Sequence, residues 1–320
     1  VFFNNRSLGE ITFNGNTENQ RLNANITANF DEQPQSVVAT VNFADPNLQF
    51  EAETVFDNTN LAPFIALADL PGTVAITGTA TGRVYLRGNL STENPDGTRS
   101  FTTENLSGAA EFSQFALQID ETPLAASEPV SIKFNTREIT IESARFSGGG
   151  SNLTIAGTKA LTDDGTNNLA IDGAVNLRIL NAISPNAFFS GISNVSVRLT
   201  GPNATARLNG AADFQNASIS AFVGSERVSF QRVQGRVIFT SNQAQIESLS
   251  GFLGGGRFTA SGGALLNGFK LQAFRLDLRG NNVTVPLPKD FLTTGDAEIA
   301  INGRRTGNEL RTLISGRITA

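Results

Sequence analysis

Apolar and polar residues alternate along most of the chain. Residues 131–135, 138–142 and 194–200 each follow this two-residue period over their whole length. A period of two is typical of β-strands that bury one face and expose the other to water. The alternation therefore predicts an all-β protein.

Short turn-forming sequences separate these alternating segments. They include residues 96–97 (Asp-Gly), 163–165 (Asp-Asp-Gly) and 302–303 (Asn-Gly). Asn, Asp and Gly tolerate the positive φ angles that tight hairpins require. Strands joined by such turns form antiparallel neighbours, so we expect an antiparallel meander with a turn at each of these places.

Three stretches interrupt the alternation with a helix-like composition, namely residues 60–70, 179–189 and 286–293. Each has a Phe close to a Pro, and the three aromatic residues are Phe64, Phe188 and Phe291. We expect three short helical inserts that pack their Phe side chains onto the sheet.

The sequence also repeats itself at long range. Residues 106–112 and 208–214 are identical at five of seven positions, at an offset of 208 − 106 = 102. The glycine triplets 148–150 and 254–256 follow at an offset of 254 − 148 = 106. A period of about 105 residues predicts three β-modules, at 1–105, 106–207 and 208–320, with the third one truncated.

The way in which the modules connect distinguishes two architectures. Separate β-sandwiches would be joined by polar linkers, and no Pro/Ser-rich or charge-rich spacer separates the repeats. We therefore expect one elongated antiparallel sheet that curls to cover its apolar face, whose interior is either an open trough or a closed core.

The apolar phase of the strands supplies candidates for the wall of such a groove. The alternating charged residues should face water, and these are Lys133, Glu138, Glu142, Arg198 and Glu298. The groove candidates are Val74, Ile76, Val84, Leu86, Ile132, Phe134, Ile139, Ile141, Leu153, Ile155, Val195, Val197, Leu199, Val237, Phe239, Phe258, Leu276, Leu278, Ile299 and Ile301.

Composition narrows the possible functions. The chain has 320 residues and contains no Cys, His, Met or Trp, one Tyr and 24 Phe. Disulfides, thiolate nucleophiles, Ser-His-Asp relays and the usual zinc sites all need Cys or His. We therefore expect no enzyme, and no catalytic, cofactor-binding or metal-binding residues. Because the first residue is not Met, we also expect the chain to be a segment of a longer polypeptide.

Charge and hydropathy bear on the possible partners. The net charge of 24 − 29 = −5 argues against nucleic acid, whose binders carry clustered basic surfaces. The longest apolar run, residues 61–68, is far shorter than the roughly 18 residues of a membrane-spanning helix. We expect no transmembrane helix within these residues.

Some local motifs allow a functional and a structural interpretation. The glycine triplets lack the Lys-Ser/Thr of a phosphate-binding loop, which favours corners between strands. Residues 163–165 lack the spaced ligands of a calcium loop, which favours a hairpin turn. The insert at residues 61–67 has no basic face for a membrane surface, which favours a helix that plugs the sheet. Paired carboxylates for glycoside hydrolysis stay possible among 29 acidic residues, although the missing Trp argues against sugar stacking.

Several segments in a fixed order resemble a known family. Residues 230–239, 246–250 and 253–262 are followed by residues 276–280, 286–295 and 314–318. Their order and spacing resemble the TamB (translocation and assembly module) proteins of the AsmA-like family, large envelope proteins of bacteria with two membranes. The resemblance is strongest over residues 208–320 and weak before residue 106.

The resemblance implies a curled sheet, often called a β-taco, in a protein that is anchored in the inner membrane and crosses the periplasm. It implies phospholipid acyl chains as ligands, and an outer-membrane assembly barrel as a partner that binds regions outside this segment. It further implies a role in moving phospholipid between the membranes and in outer-membrane protein assembly.

Two other interpretations start from the same composition. A passive extracellular β-solenoid adhesin or autotransporter passenger would share the Gly/Asn/Thr content, but it would show short rungs instead of a long module. An outer-membrane barrel would require girdles of Tyr and Trp, which one Tyr and no Trp disfavour.

Overall fold

The structure is a computed structural model of the chain. It describes residues 2–3, 6–7, 10–30, 33–67, 76–102, 105–183, 187–223, 226–268, 270–287, 291–307 and 309–319. Nearly all of these residues lie in β-strands, as the alternation predicted.

The part of the chain that the structure describes up to Ile183 contains one short helix, α1 at Ala62–Leu67, and one 3₁₀ helix, at Leu177–Ile183. Its strands are β1 Phe2–Phe3, β2 Arg6–Ser7, β3 Ile11–Glu18, β4 Arg21–Phe30, β5 Gln33–Asn42, β6 Gln49–Asn60, β7 Ile76–Asn89, β8 Ser91–Glu93, β9 Arg99–Phe101, β10 Ser107–Ile119, β11 Thr122–Ala126, β12 Val130–Asn135, β13 Glu138–Gly148, β14 Ser151–Ala160 and β15 Thr166–Asn176.

The described part of the chain after Ile183 continues with longer strands and one 3₁₀ turn, at Asn203–Thr205. Its strands are β16 Ala187–Pro202, β17 Arg207–Val223, β18 Glu226–Thr240, β19 Gln243–Leu253, β20 Gly256–Asn267, β21 Lys270–Leu287, β22 Phe291–Thr306 and β23 Glu309–Thr319.

Nineteen of these strands form one large antiparallel sheet. Consecutive strands pair from β3 to β7, then β7 with β10, and then onward to β23. β11 and β12 together occupy one strand position between β10 and β13. Each of the two short strands pairs with one part of β10 on one side and with one part of β13 on the other. Their pairings form a local ring of four strands. The sheet is therefore a long meander, as the turn sequences predicted.

The sheet is elongated and curled. Residues from distant strands share apolar clusters on the concave side. Leu266 of β20 packs against the cluster that contains Val197 and Leu199 of β16, although three strands lie between β16 and β20. Leu177, which follows β15, belongs to the same buried cluster as Val283 of β21.

Bulges and glycines explain the curl. Register shifts interrupt several strand pairs, and the extra residue has a positive φ at Asn58, Asn216 and Asn282. Asn tolerates this conformation better than most residues, and a bulge bends its strand and increases its twist. Gly210 has a φ of 132°, and a Cβ there would collide with the carbonyl oxygen of Ser196 on the next strand. Such a close approach of two backbones needs glycine.

The three predicted inserts have different structures. The first is α1, within residues 60–70. The second is the 3₁₀ helix at Leu177–Ile183, but Phe188 itself lies in β16. The third prediction was wrong over its described residues: β21 continues to Leu287 and β22 begins at Phe291, so that Pro286 pairs with Leu292.

Of the three predicted turns, two are present and one is not. Residues 96–97 and 163–165 lie in turns, and both glycine triplets span tight turns between strands. The turn expected at residues 302–303 was wrong, because Asn302 and Gly303 lie inside β22. Gly303 sits opposite Phe274, whose ring occupies the space that a side chain would fill. The glycine therefore makes room for an aromatic ring instead of reversing the chain.

The module boundaries stay a prediction. The strand pairing passes through residues 106 and 208 without a break, since β10 pairs with β7 and β17 pairs with β16. The repeated segments at residues 106–112 and 208–214 both lie where a long strand begins, at β10 and β17.

Candidate functional site: an apolar concave face

Every second residue of a strand in the large sheet faces the concave side. We call these positions the inward phase. The register connects it from strand to strand: Ile132 pairs with Ile141, Val197 with Ile171, and Leu276 with Ile301. Because side chains alternate across a strand, paired residues share a face. The inward phase is therefore one surface that runs across the sheet.

The structure places most of the groove candidates in three apolar clusters on this face. The first cluster, around Phe112 and Phe146, includes Val84, Ile132, Ile141, Leu153 and Ile155. The second, around Val233 and Val283, includes Phe258, Leu276, Leu278, Ile299 and Ile301. The third, around Leu208, includes Val195, Val197, Leu199 and Phe239.

The remaining candidates lie outside these clusters. Ile76, Leu86, Phe134, Ile139 and Val237 are half-buried positions of the same inward phase. Val74 lies outside the described residues. Of the 19 described candidates, five are buried, namely Leu153, Val197, Leu199, Phe258 and Leu278, and the others keep part of their surface accessible.

The alternating charges lie on the other side of the strands. Lys133, Glu142, Arg198 and Glu298 are exposed, and Glu138 is half-buried. Lys133 donates a hydrogen bond to Glu142, which raises the pKa of the lysine and lowers the pKa of the carboxyl. The convex face is thus polar and carries surface ion pairs.

Two inward positions carry a charge among the sheet residues whose side chains the structure describes. Lys159 pairs with Ile139 in the register and donates to the carbonyl oxygen of Ala160 and to Oδ1 of Asn203, both at 2.7 Å. Burial lowers the pKa of this lysine. Arg305 donates from Nε to the carbonyl oxygen of Leu271 at 2.8 Å. Both cations lie where a strand ends.

The strand ends form two rims of the curled sheet. Lys159, Arg305 and the turns after β3, β14 and β22 lie on one rim, which we call the turn rim. α1, the 3₁₀ helix and the glycine triplets lie on the other, which we call the insert rim. The concave face therefore has one rim with inward cations and one with helical inserts.

The inserts cover parts of the concave face from their rim. In α1, the Phe64 ring lies 5.4 Å from the ring of Phe56 and packs with the first cluster. Leu177 of the 3₁₀ helix is buried in the second cluster, where Leu180 joins it. Both inserts place apolar side chains against the sheet, as the plug interpretation expected of the first one.

Several prominent residues of this face were not among the candidates. Phe56, Phe112, Phe115 and Phe146 form a chain of ring contacts with centroid distances of 5.5–6.2 Å. Ala217, Val233 and Val283 are almost completely buried. The three aliphatic residues follow bulges, which shift the inward phase by one residue, and so a strict alternation overlooks them. The 24 Phe residues of the chain were the available signal for the aromatic chain.

Among the residues that the structure describes, no group of three or more Asp or Glu side chains is placed to hold a metal ion. Among the described residues, no helix has both the length and the apolar content needed to cross a membrane.

Comparisons with known proteins give no match. No family model matches the chain, and no curated protein or solved structure does so either.

Proposed function

We propose that the concave face shields the acyl chains of phospholipids, as in the TamB-type proteins of the AsmA-like family that the sequence resembles. In this proposal the chain is a non-catalytic segment of a periplasmic, inner-membrane-anchored protein. The whole protein carries phospholipid between the inner and outer membranes and supports outer-membrane protein assembly. Its assembly-barrel partner binds regions outside this segment.

The proposal rests on one observation: most of the apolar side chains of the inward phase stay partly accessible to solvent. Fourteen of the 19 described groove candidates retain accessible surface although they belong to one connected face. A closed core would bury such residues, since burying a Leu, Ile or Val side chain contributes about 1.5–3 kcal/mol. Apolar surface that stays accessible over many strands suits an apolar ligand.

The hydrophobic effect shows how much an apolar face could stabilise a lipid outside a bilayer. Exposing a CH₂ group to water costs about 0.8 kcal/mol, so a lipid with roughly 30 methylenes meets a cost on the order of 20 kcal/mol outside a bilayer. An apolar trough removes most of this cost without any catalytic group. Strands of 10–18 residues, such as β14 and β21, are long enough to enclose acyl chains.

The antiparallel meander differs from the parallel rungs of a β-solenoid. The adhesin or passenger alternative predicts a surface that binds no lipid, and the experiment below separates the two functions.

The test places a charge on the inward phase. Ile132→Arg and Ile301→Arg each introduce a cation at a half-buried position of the first or second cluster. We expect each variant to fold and to lose at least tenfold of the phospholipid that copurifies with the parent chain, because a charge next to acyl chains is poorly solvated. Native mass spectrometry of the purified protein measures the bound lipid, and thermal unfolding measures the fold.

Neighbouring residues on the convex face provide matched controls. Ser131→Arg and Ala300→Arg alter the same strands one position away, and we expect both to retain lipid at the parent level. A parent chain that binds no lipid from phospholipid vesicles would contradict the proposal. So would inward variants that fail to fold while the controls fold, because this pairing of results indicates a closed core.

A further inference from the structure

Lys159 is a cation on the concave face that has no carboxylate partner among the described residues. It lies on the inward phase of β14, and its neighbours on the two adjacent strands are Ile139 of β13 and Asn167 of β15. Burial alone lowers the pKa of this lysine, and no neighbouring charge contributes. Charges that leave water are normally paired in proteins, because an unpaired charge is poorly solvated there. The ammonium group of Lys159 therefore lacks a counter-ion.

A lysine on the convex face shows the contrast. Lys133 donates to Glu142, and this carboxylate raises the pKa of Lys133. The convex cation thus has an anion supplied by the chain itself. For Lys159, the described residues supply neutral oxygen atoms only.

A buried hydrogen-bond network fixes the ammonium group of Lys159. Its Nζ donates to the carbonyl oxygen of Ala160 and to Oδ1 of Asn203, both at 2.7 Å. Asn167, which is only 1% exposed, accepts from the amide of Ala160 and donates to the carbonyl oxygen of Gly201. An ammonium group has three N–H donors, and these two bonds use two of them. One donor of a positioned cation is left for a ligand.

We propose that Lys159 binds the phosphate of a phospholipid whose acyl chains lie on the concave face, so that the headgroup sits at the turn rim. The inference rests on the proposed function and adds the orientation of the lipid and the headgroup chemistry that is recognised. The phosphate supplies the missing anion, and its oxygen accepts a charge-assisted hydrogen bond from the third N–H of Nζ.

The surface next to Lys159 favours a lipid over a free phosphate ion. The inward positions of β14 that lead from Lys159 toward the insert rim are Gly157, Ile155 and Leu153, and the last two belong to the first cluster. This apolar strip extends over roughly 20 Å, at about 3.3 Å per residue. A single ammonium group at a protein surface binds an anion weakly. Each methylene group that the strip shields adds to the affinity for a lipid.

The test compares two lipids with identical oleoyl chains, phosphatidylglycerol and diacylglycerol, each in mixed micelles with an uncharged maltoside detergent. Lys159→Gln removes the charge and keeps a hydrogen-bond donor. We expect this variant to bind phosphatidylglycerol about tenfold more weakly than the parent chain, the usual effect of losing a hydrogen bond to a charged group. We expect the affinity for diacylglycerol, which has no phosphate, to stay unchanged. Native mass spectrometry over a lipid titration measures both affinities.

Two further variants serve as controls. Lys159→Arg retains the charge and should retain most of the preference for phosphatidylglycerol. Lys270→Gln removes an exposed lysine from the same rim and should bind both lipids like the parent. We expect the thermal midpoint of Lys159→Gln to be at least that of the parent, because the substitution breaks no ion pair and removes a partly buried charge.

Nuclear magnetic resonance of the parent chain gives a test that needs no folded variant. The chain contains four Lys, so labelled lysine gives few signals. A bound phosphate favours the charged form of a neighbouring ammonium group, so phosphatidylglycerol should raise the pKa of Lys159 toward the usual value. Diacylglycerol should not raise it. An unchanged pKa at saturating phosphatidylglycerol would overturn the inference.

The outcomes separate this inference from the proposed function. A parent chain that binds neither lipid contradicts both. A parent chain that binds both lipids, with Lys159→Gln changing neither affinity or both equally, retains the apolar trough and overturns the headgroup site alone. Calorimetry with inorganic phosphate tests the other source of the anion. Saturable binding below about 10 mM that requires Lys159 would identify a free ion as the ligand and contradict the assignment to a lipid.

Discussion

At the scale of single residues, the concave face depends on glycine as much as on aliphatic side chains. Gly210 occupies an inward position between Val197 and Phe239 in the register. Its positive φ and the nearby carbonyl of Ser196 leave no space for a Cβ. A glycine at such a position lets adjacent strands approach closely and bend, which a sheet needs in order to curl.

The substitution Gly210→Ala tests this requirement. We expect it to destabilise the fold by about 2–4 kcal/mol, because it combines an unfavourable φ with a backbone collision. Gly97→Ala is the control, since Gly97 also has a positive φ but no atom lies near its Cβ position. The control should cost about 1 kcal/mol. Denaturant unfolding of both variants measures the difference, and equal losses would mean that the close approach at Gly210 is unimportant.

At the scale of elements, burial decided which of the three inserts became helical. Leu61, which directly precedes α1, and Leu177 of the 3₁₀ helix are each buried in an apolar cluster. The third insert follows Val283 and Val285, which are buried inward residues of β21. The bulge at Asn282 restores the inward phase for this stretch, and the strand stays extended through Pro286. A proline is tolerated there because it lies near the end of the strand.

The helix α1 should contribute to stability through Phe64. Phe64→Ala removes its ring contact with Phe56 and opens the insert rim above the first cluster. We expect a loss of roughly 1–3 kcal/mol, below that of a fully buried Phe because the ring is half-buried, together with increased binding of an environment-sensitive apolar dye. Phe101→Ala, at a side chain that is highly exposed, should change neither quantity. An unchanged dye signal for Phe64→Ala would show that α1 does not cover the trough.

At the scale of the whole molecule, the carboxyl groups with a lowered pKa lie on the convex face and at the turns. Hydrogen bonds from Thr98 lower the pKa of Asp96, and the Arg137 and Arg275 guanidinium groups do the same for Asp164 and Asp277. A carboxyl with a lowered pKa in the folded state contributes stability above its unfolded pKa of about 4. This contribution is lost as the pH falls through the lower, folded value.

The pH dependence of stability follows from these shifts. The chain has no His and no Cys, so no side chain with an ordinary pKa titrates between about pH 5.5 and 8. We expect a thermal midpoint that is constant in this window and falls below about pH 4. The pKa of Lys159 is lowered by burial, so its contribution increases as the pH rises from the lowered value toward the usual one. Calorimetry across the pH range checks the profile, and a midpoint that changes near pH 6.5 would contradict it.

The sequence determined the local structure because its signals are local. Alternation along residues 131–135, 138–142 and 194–200 specified strands and their inward side chains. The turn sequences and the absence of polar linkers predicted one antiparallel sheet that curls. Turn chemistry located the hairpin at residues 163–165. These predictions rest on side-chain geometry within a few residues, which does not depend on distant partners.

Tertiary structure decided what depends on a neighbouring strand. Asn302-Gly303 carries the signal of a turn, but the ring of Phe274 on the next strand keeps it extended. Val233 and Val283 reach the concave face through bulges that only the paired strand defines. Lys159 faces inward because its ammonium group finds acceptors at Ala160 and Asn203, the latter 44 residues away. The register between strands is a non-local property, because it is fixed by the burial of both partners at once.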